Sequence, residues 1–141
     1  MSNTVIKSCG FVVYKKVENE NFYLIIKSIS GDVGFPKGHV EDGESEIETA
    51  IRELKEETGT EVEVIPGPRW QIEYPLKRIP HTIKQSVYFL GRCTNDKIVC
   101  QESEIMEASF LSYNDALSTL TFEETKRILT ETEDLIKNKL I

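Results

Sequence analysis

Short apolar runs rich in β-branched and aromatic residues open the chain, from Lys7 to Val17 and from Phe22 to Lys27. Runs of this kind bounded by polar residues predict strands, and Glu18-Asn19-Glu20-Asn21 between them predicts the loop of a hairpin. A loop containing Gly31 and Gly34 leads into Phe35-Pro36-Lys37-Gly38. The spacing then changes: Ile47, Ala50, Ile51 and Leu54 recur with a helical period. Ser45 followed by Glu48 has the spacing of a capping box, so this helix should begin just after Glu44, and Gly59 fits the left-handed residue that ends it. A short strand is expected from Glu61 to Ile65, stopped by Pro66-Gly67-Pro68. Trp70 to Tyr74 and Gln85 to Arg92 predict further strands across a charged, proline-containing loop, and Ile105 to Leu111 predicts the last one. Helices are expected from about Asn114 to Leu117 and from Phe122 to the end, where Ile128, Leu129, Leu135 and Ile136 fall mostly at helical spacing. A mixed β-sheet packed between helices, in the α/β (α+β) class, accommodates this order.

The helix that follows Ser45 carries the candidate chemistry. At roughly 100° per residue, Glu53, Glu56 and Glu57 fall within an arc of about 100°, separate from the arc of Ile47, Ala50, Ile51 and Leu54. Like charges at i and i+4, as with Glu53 and Glu57, destabilise a helix by a few tenths of a kcal/mol. The negative end of the helix dipole adds to that cost. A hard divalent cation offsets it most directly, because magnesium takes a few carboxylate oxygens and keeps waters that substrate phosphates can displace. Arg52 lies beside the acids, placed to hold one of them in a bidentate fork. An isolated Glu-Glu pair usually does no more than face water. The pattern here is longer: at an average usage of about 6–7% per residue type, seven fixed positions match by chance at a given start with a probability on the order of 10⁻⁸.

Composition narrows the partners. A chain of 141 residues is long enough for a real hydrophobic core, and one domain over residues 1–141 is expected. The net charge of −7 argues against nucleic acid as a partner, because proteins that grip phosphate backbones carry a basic stripe. A polyanionic small molecule would have to be met by a metal and a few local cations. No apolar run is long enough to span a bilayer, and the N-terminal Met-Ser-Asn-Thr-Val-Ile-Lys lacks the pattern of a signal peptide. A cytoplasmic monomer without membrane contact is the expected state. Cys9, Cys93 and Cys100 are odd in number and lack metal-ligand spacing, which predicts reduced, mostly buried thiols.

The segment from Gly38 to Thr60 resembles the Nudix box, Gly-x5-Glu-x7-Arg-Glu-U-x-Glu-Glu-x-Gly-U, where U is aliphatic. Gly38, Glu44, Arg52, Glu53, Leu54, Glu56, Glu57 and Gly59 match, and Thr60 departs at a packing position. The resemblance implies a MutT-like Nudix hydrolase that uses magnesium, with manganese as a substitute, and water to split a diphosphate linkage in a nucleotide. The flanks are similar to one branch, the asymmetrical diadenosine tetraphosphate hydrolases. Cys9-Gly10-Phe11-Val12-Val13-Tyr14, Phe35-Pro36-Lys37-Gly38-His39-Val40-Glu41, Lys84 ahead of Val87-Tyr88-Phe89-Leu90, Glu104 ahead of Phe110-Leu111, and Phe122 carry that likeness.

Carried over residue by residue, the resemblance implies metal ligation by Glu53, Glu56, Glu57, Glu104 and Gly38, and a catalytic group of Glu57, Glu104, Arg52 and Glu53. Lys37 would neutralise a phosphate next to the cleaved bond and Lys84 one further out, each as a compact point charge. Tyr74 and Phe122 would offer aromatic faces to an adenine, where stacking contributes about 1–3 kcal/mol per base. Asp32 stands where the animal branch carries a histidine, and Lys84 stands alone where that branch tends to have two lysines, with His81 nearby. These departures bear on the substrate and leave the hydrolytic chemistry intact. Cleavage of diadenosine tetraphosphate to ATP and AMP is the expected reaction. The alternatives are a Nudix enzyme acting on RNA 5′ ends, inositol pyrophosphates or oxidised nucleotides, and a Nudix module that senses a nucleotide without cleaving it.

Overall fold

The computed structural model describes residues 4–139, so Met1 to Asn3 of the N-terminal reading and Leu140 and Ile141 of the predicted last helix lie outside the described residues. In chain order the elements are β1 (Thr4–Val17), β2 (Glu20–Ser28), β3 (Val33–Gly34), β4 (Lys37–His39), α1 (Glu46–Thr58), β5 (Glu61–Pro75), β6 (Thr82–Asn95), β7 (Ile105–Ser112), α2 (Tyr113–Thr119) and α3 (Glu123–Lys137). The strands pair in the order β3-β2-β1-β6-β5, with β4 against β1 and β7 against β2. β1 and β6 run parallel and the other pairs antiparallel, which makes the sheet mixed.

β1 shows why helices cover both faces. Its successive side chains alternate: Phe11 and Val13 pack with Ala50 and Leu54 of α1, while Val12 and Tyr14 pack with Ile128 and Leu129 of α3. All seven of these residues other than Tyr14 are at most 1% exposed, so the strand is buried from both sides and reads as a continuous apolar run. The expected sheet between helices is what forms.

Among the predicted boundaries that move, two are set by strand pairing. The β1–β2 hairpin is tighter than its polarity suggests, because pairing resumes at Val17 opposite Glu20. Glu18 and Asn19 alone make the turn, at φ 50° and 69°, the two-residue geometry whose twist matches that of paired strands. Pro66-Gly67-Pro68 does not stop the strand after α1. β5 runs through it, and the register against β6 slips between Ile65, opposite Leu90, and Arg69, opposite Phe89. The three intervening residues bulge out with Gly67 at φ 112°. β5 lies at the edge of the sheet, and prolines in an edge bulge break no ladder bond.

α1 forms between its predicted caps. Ser45 Oγ accepts from Glu48 N–H at 3.2 Å, Glu48 Oε1 accepts from Ser45 N–H at 2.9 Å, and Gly59 closes the helix at φ 73°. Its buried stripe is rotated from the predicted one. Ala50, Leu54, Glu57 and Thr58 face inward, whereas Ile51 is 47% exposed. Of the three cysteines, all free, only Cys9 is buried; Cys93 and Cys100 are half-buried. Burial pushes the Cys9 thiol up to about 11, the wrong direction for a nucleophile.

Candidate active site

Rotation of the buried stripe puts a carboxylate where apolar side chains would pack. Glu57 is 4% exposed, and its carboxylate accepts from the Lys37 N–H of β4 at 3.1 Å. Burial, and then the charge of Glu53, pushes Glu57 up to about 8, with Glu104 adding to the repulsion. Burial likewise raises Glu53, against the pull of Arg52. Gly38 faces Glu53 so closely that a Cβ at that position would collide with its carboxylate. The glycine therefore lets β4 pass over the acidic helix.

Arg52 forms its fork with Glu44, and not with one of the three acids of the helix. Its Nε and one terminal nitrogen grip Glu44 at 2.6 and 3.0 Å, and the other terminal nitrogen reaches Glu53 at 2.8 Å and Glu56 at 3.0 Å. A further bond to the His39 carbonyl at 3.0 Å ties the loop ahead of the helix to its middle. Glu44 also takes the Thr49 hydroxyl and the Glu41 N–H, and this set of donors, Arg52 first, lowers it to about 2. Arg52 thus draws Glu53 and Glu56 to one side while Lys37 holds Glu57 on the other. Among the described residues no three acidic, histidine or cysteine side chains already converge on one point.

A cleft of about 470 Å³ opens over Glu57, and Lys37, Lys84, Tyr74, Phe122 and Glu104 line it with that residue. Arg52, Glu53, Glu56 and Gly38 are not part of its lining. Lys37 points its ammonium at the Ser86 hydroxyl, 3.2 Å away. Burial and then the charge of Lys84 pull Lys37 down to about 8. Among the described residues neither lysine is in an ion pair. Two unpaired cations side by side in a cleft are a place for an anion. Tyr74 and Phe122, 41% and 47% exposed, add aromatic surface to the same cleft.

Glu104 arrives by way of the end of α1. The last carbonyls of a helix lack partners within it, and here Thr58 O accepts from Val99 N–H and Glu57 O from Gln101 N–H, both at 2.9 Å. The Glu104 carbonyl then takes the Ile29 N–H at 3.1 Å. The connection from β6 to β7 is thereby fastened beside Glu57. Ser86 and Tyr88 also line the cleft; the sequence gives Tyr88 only as part of a strand motif and assigns Ser86 no role. The signal was available: Lys84, Ser86 and Tyr88 sit at period two on β6 and share one face.

The donor set fits a hard divalent cation. Buried carboxylates that raise one another's proton affinity lack compensating positive charge, and carboxylate and carbonyl oxygens are the ligands that magnesium or manganese takes. The NUDIX domain model matches residues 10–132, most of the chain and all of the acidic helix. The chain belongs to the NUDIX family. Nudix enzymes act on small nucleotides and generally use divalent metals, and this Nudix protein is a hydrolase of phosphoric anhydrides. It is 30% identical over 138 residues to the asymmetrical bis(5′-nucleosyl)-tetraphosphatase of Rattus norvegicus, covering 89% of this chain and 92% of that protein. It is 32% identical over 119 residues to an RNA pyrophosphohydrolase of Nitratiruptor sp., covering 77% and 75%. In fold it matches a C. elegans Ap4A hydrolase binary complex with a TM-score of 0.85 at 24% identity, over 94% of this chain and 98% of that one. No helix among the described residues is long and apolar enough to cross a membrane.

Proposed function

We propose that this Nudix hydrolase cleaves diadenosine tetraphosphate asymmetrically, giving ATP and AMP, with magnesium as its cofactor. The observation that carries the reading is the meeting in one cleft of a buried carboxylate, two exposed aromatic rings and two lysines that are in no ion pair among the described residues. The likeness to the rat tetraphosphatase along most of both chains supports it.

Lys37 and Lys84 bind the phosphate chain, Lys37 next to the cleaved bond and Lys84 further out. Pairing of Lys37 with a phosphate oxygen is favourable, because among the described residues that ammonium has only a hydroxyl as its partner. Tyr74 and Phe122 stack on the adenine held in the cleft. Glu53, Glu56, Glu57, Glu104 and the Gly38 carbonyl would hold the cation. When bound, the cation neutralises charge on the phosphate oxygens and makes water more acidic. Arg52 acts from behind, keeping Glu53 in one rotamer. Glu57 or Glu104 takes the proton from the attacking water. The water oxygen bonds to phosphorus on one side of an anhydride, and the phosphorus–oxygen bond on the far side breaks with its electron pair on the leaving phosphate.

A substrate panel tests the assignment: diadenosine tetraphosphate, triphosphorylated RNA, an inositol pyrophosphate and an oxidised nucleoside triphosphate, each with magnesium, compared by kcat/KM. Diadenosine tetraphosphate should lead by at least about a hundredfold, a difference of about 2.7 kcal/mol in transition-state stabilisation. A lead for any other member overturns the proposed substrate.

A further inference from the structure

From Tyr74 to Asn95 the chain has no acidic residue, although its net charge is −7. Lys77, Arg78, His81 and Lys84 fall together in that stretch, on and beside the turn between β5 and β6. Lys77 and Arg78 are exposed and, among the described residues, in no ion pair. The turn is a built element. Leu76 N–H donates to Thr82 O at 2.9 Å and Thr4 N–H to His81 O at 2.7 Å, with His81 at φ 55°.

This turn walls a second, shallower cavity of about 590 Å³, lined by Pro75, Ile79, Pro80 and His81 among others. Tyr74 lines both this cavity and the main cleft. It also stands opposite Lys84 in the β5–β6 register. The two cavities therefore meet at Tyr74, beside the outer of the two cleft lysines. Ile79 is 43% exposed in this turn, between Arg78 and Pro80, and the chemistry of the cleft gives it no task.

We propose that the β5–β6 turn is a subsite for the second nucleoside of a dinucleoside polyphosphate, whose distal base lies on Ile79, Pro80 and His81 while the anhydride to be cleaved sits in the main cleft. The inference rests on the function proposed above and extends it to the half of the substrate that the main cleft does not hold. Flat apolar and aromatic faces take a base by stacking, with little regard to which base it is. Lys77 and Arg78 draw the polyphosphate along the same edge, against the repulsion of an acidic chain. A nucleotide with a single nucleoside bound in the main cleft has nothing to place on the turn.

The double variant Ile79→Ser/His81→Gly removes the platform, and glycine keeps the positive φ at position 81 without strain. KM for diadenosine tetraphosphate is measured beside the Ki of adenosine 5′-tetraphosphate as a competitor, a ligand with the same phosphate count and one nucleoside. KM should rise about tenfold, on the order expected for a lost base stack, while Ki and kcat hold. An unchanged KM, or an equal rise in both constants, overturns the subsite. The unchanged Ki doubles as evidence that the variant is folded. Failure of the wild-type protein to hydrolyse diadenosine tetraphosphate would sink the functional reading and the subsite together; normal wild-type turnover with an unmoved ratio would sink the subsite alone.

Discussion

Replacing Glu57 by glutamine should make the metal-free protein more stable while removing its activity. Glu57 is 4% exposed, its carboxylate takes one hydrogen bond from Lys37 N–H, and Glu53 and Glu104 repel it. Glutamine keeps an oxygen for that N–H and sheds the charge. The rise of the carboxyl from its ordinary 4.5 to about 8, at about 1.4 kcal/mol for each tenfold change in proton affinity, sets a ceiling of ~5 kcal/mol on how far the ionised side chain opposes folding. Relaxation and water entry cut such penalties to a few kcal/mol, so a gain of ~2 kcal/mol is expected. The sign follows from linkage: below pH 4.5 the group is protonated folded and unfolded, and its effect is nil. As pH rises toward 8 the unfolded chain releases the proton first, and wild-type stability falls relative to the variant. Urea denaturation in chelator at pH 4.5 and pH 8.5 measures the difference. Magnesium should then raise the wild-type midpoint by mass action and leave that of the variant nearly unmoved. A Glu57→Gln protein less stable than wild type at pH 8.5 would mean that the carboxylate has found full compensation in the fold and does not oppose folding.

Ser45→Ala removes one half of the capping box and should lower stability by ~1 kcal/mol in a urea melt, leaving kcat intact. Arg52→Lys cannot reproduce the fork onto Glu44, so the urea midpoint should fall in the same melt. Its kcat should fall as well, because Glu53 loses the group that orients it. Glu46 is bound by Arg69 and Lys7, which hold its carboxyl down at about 2. With the folded value below the unfolded one, its contribution is present above about pH 4.5 and disappears as pH falls toward 2; Glu46→Gln should therefore weaken the protein at pH 7 and match wild type near pH 2, as read by denaturation at both.

The parts of the fold that depend on local chemistry could be read from the sequence. α1 begins and ends where Ser45, Glu48 and Gly59 place its caps, since each acts within a turn of itself. Features set by tertiary partners could not. Pro66 and Pro68 signal a strand end, and only an unpaired edge with room for a bulge allows β5 to continue through them. The helical arc drawn from Ile47, Ala50, Ile51 and Leu54 groups apolar residues correctly but cannot say which border of the arc meets β4, so it exposes Glu57 and buries Ile51, the reverse of the structure. That same error conceals the most consequential property of Glu57, its desolvation. Lys37, Lys84, Tyr74, Phe122 and Glu104 come from separate elements and no spacing rule connects them; the resemblance to a known branch brought them together, and one cleft contains them all. Asp32 also lines that cleft, where the related branch has histidine.

Asymmetric hydrolysis of diadenosine tetraphosphate in the cleft has a signature in the identity of its products. Wild-type protein, magnesium and diadenosine tetraphosphate are incubated together, and the nucleotides are resolved by anion exchange, with Glu57→Gln run alongside. The proposed function predicts ATP and AMP in equal amounts from wild type, and a rate lower by several orders of magnitude in the variant. Two molecules of ADP, no turnover, or an undiminished rate in Glu57→Gln would contradict it.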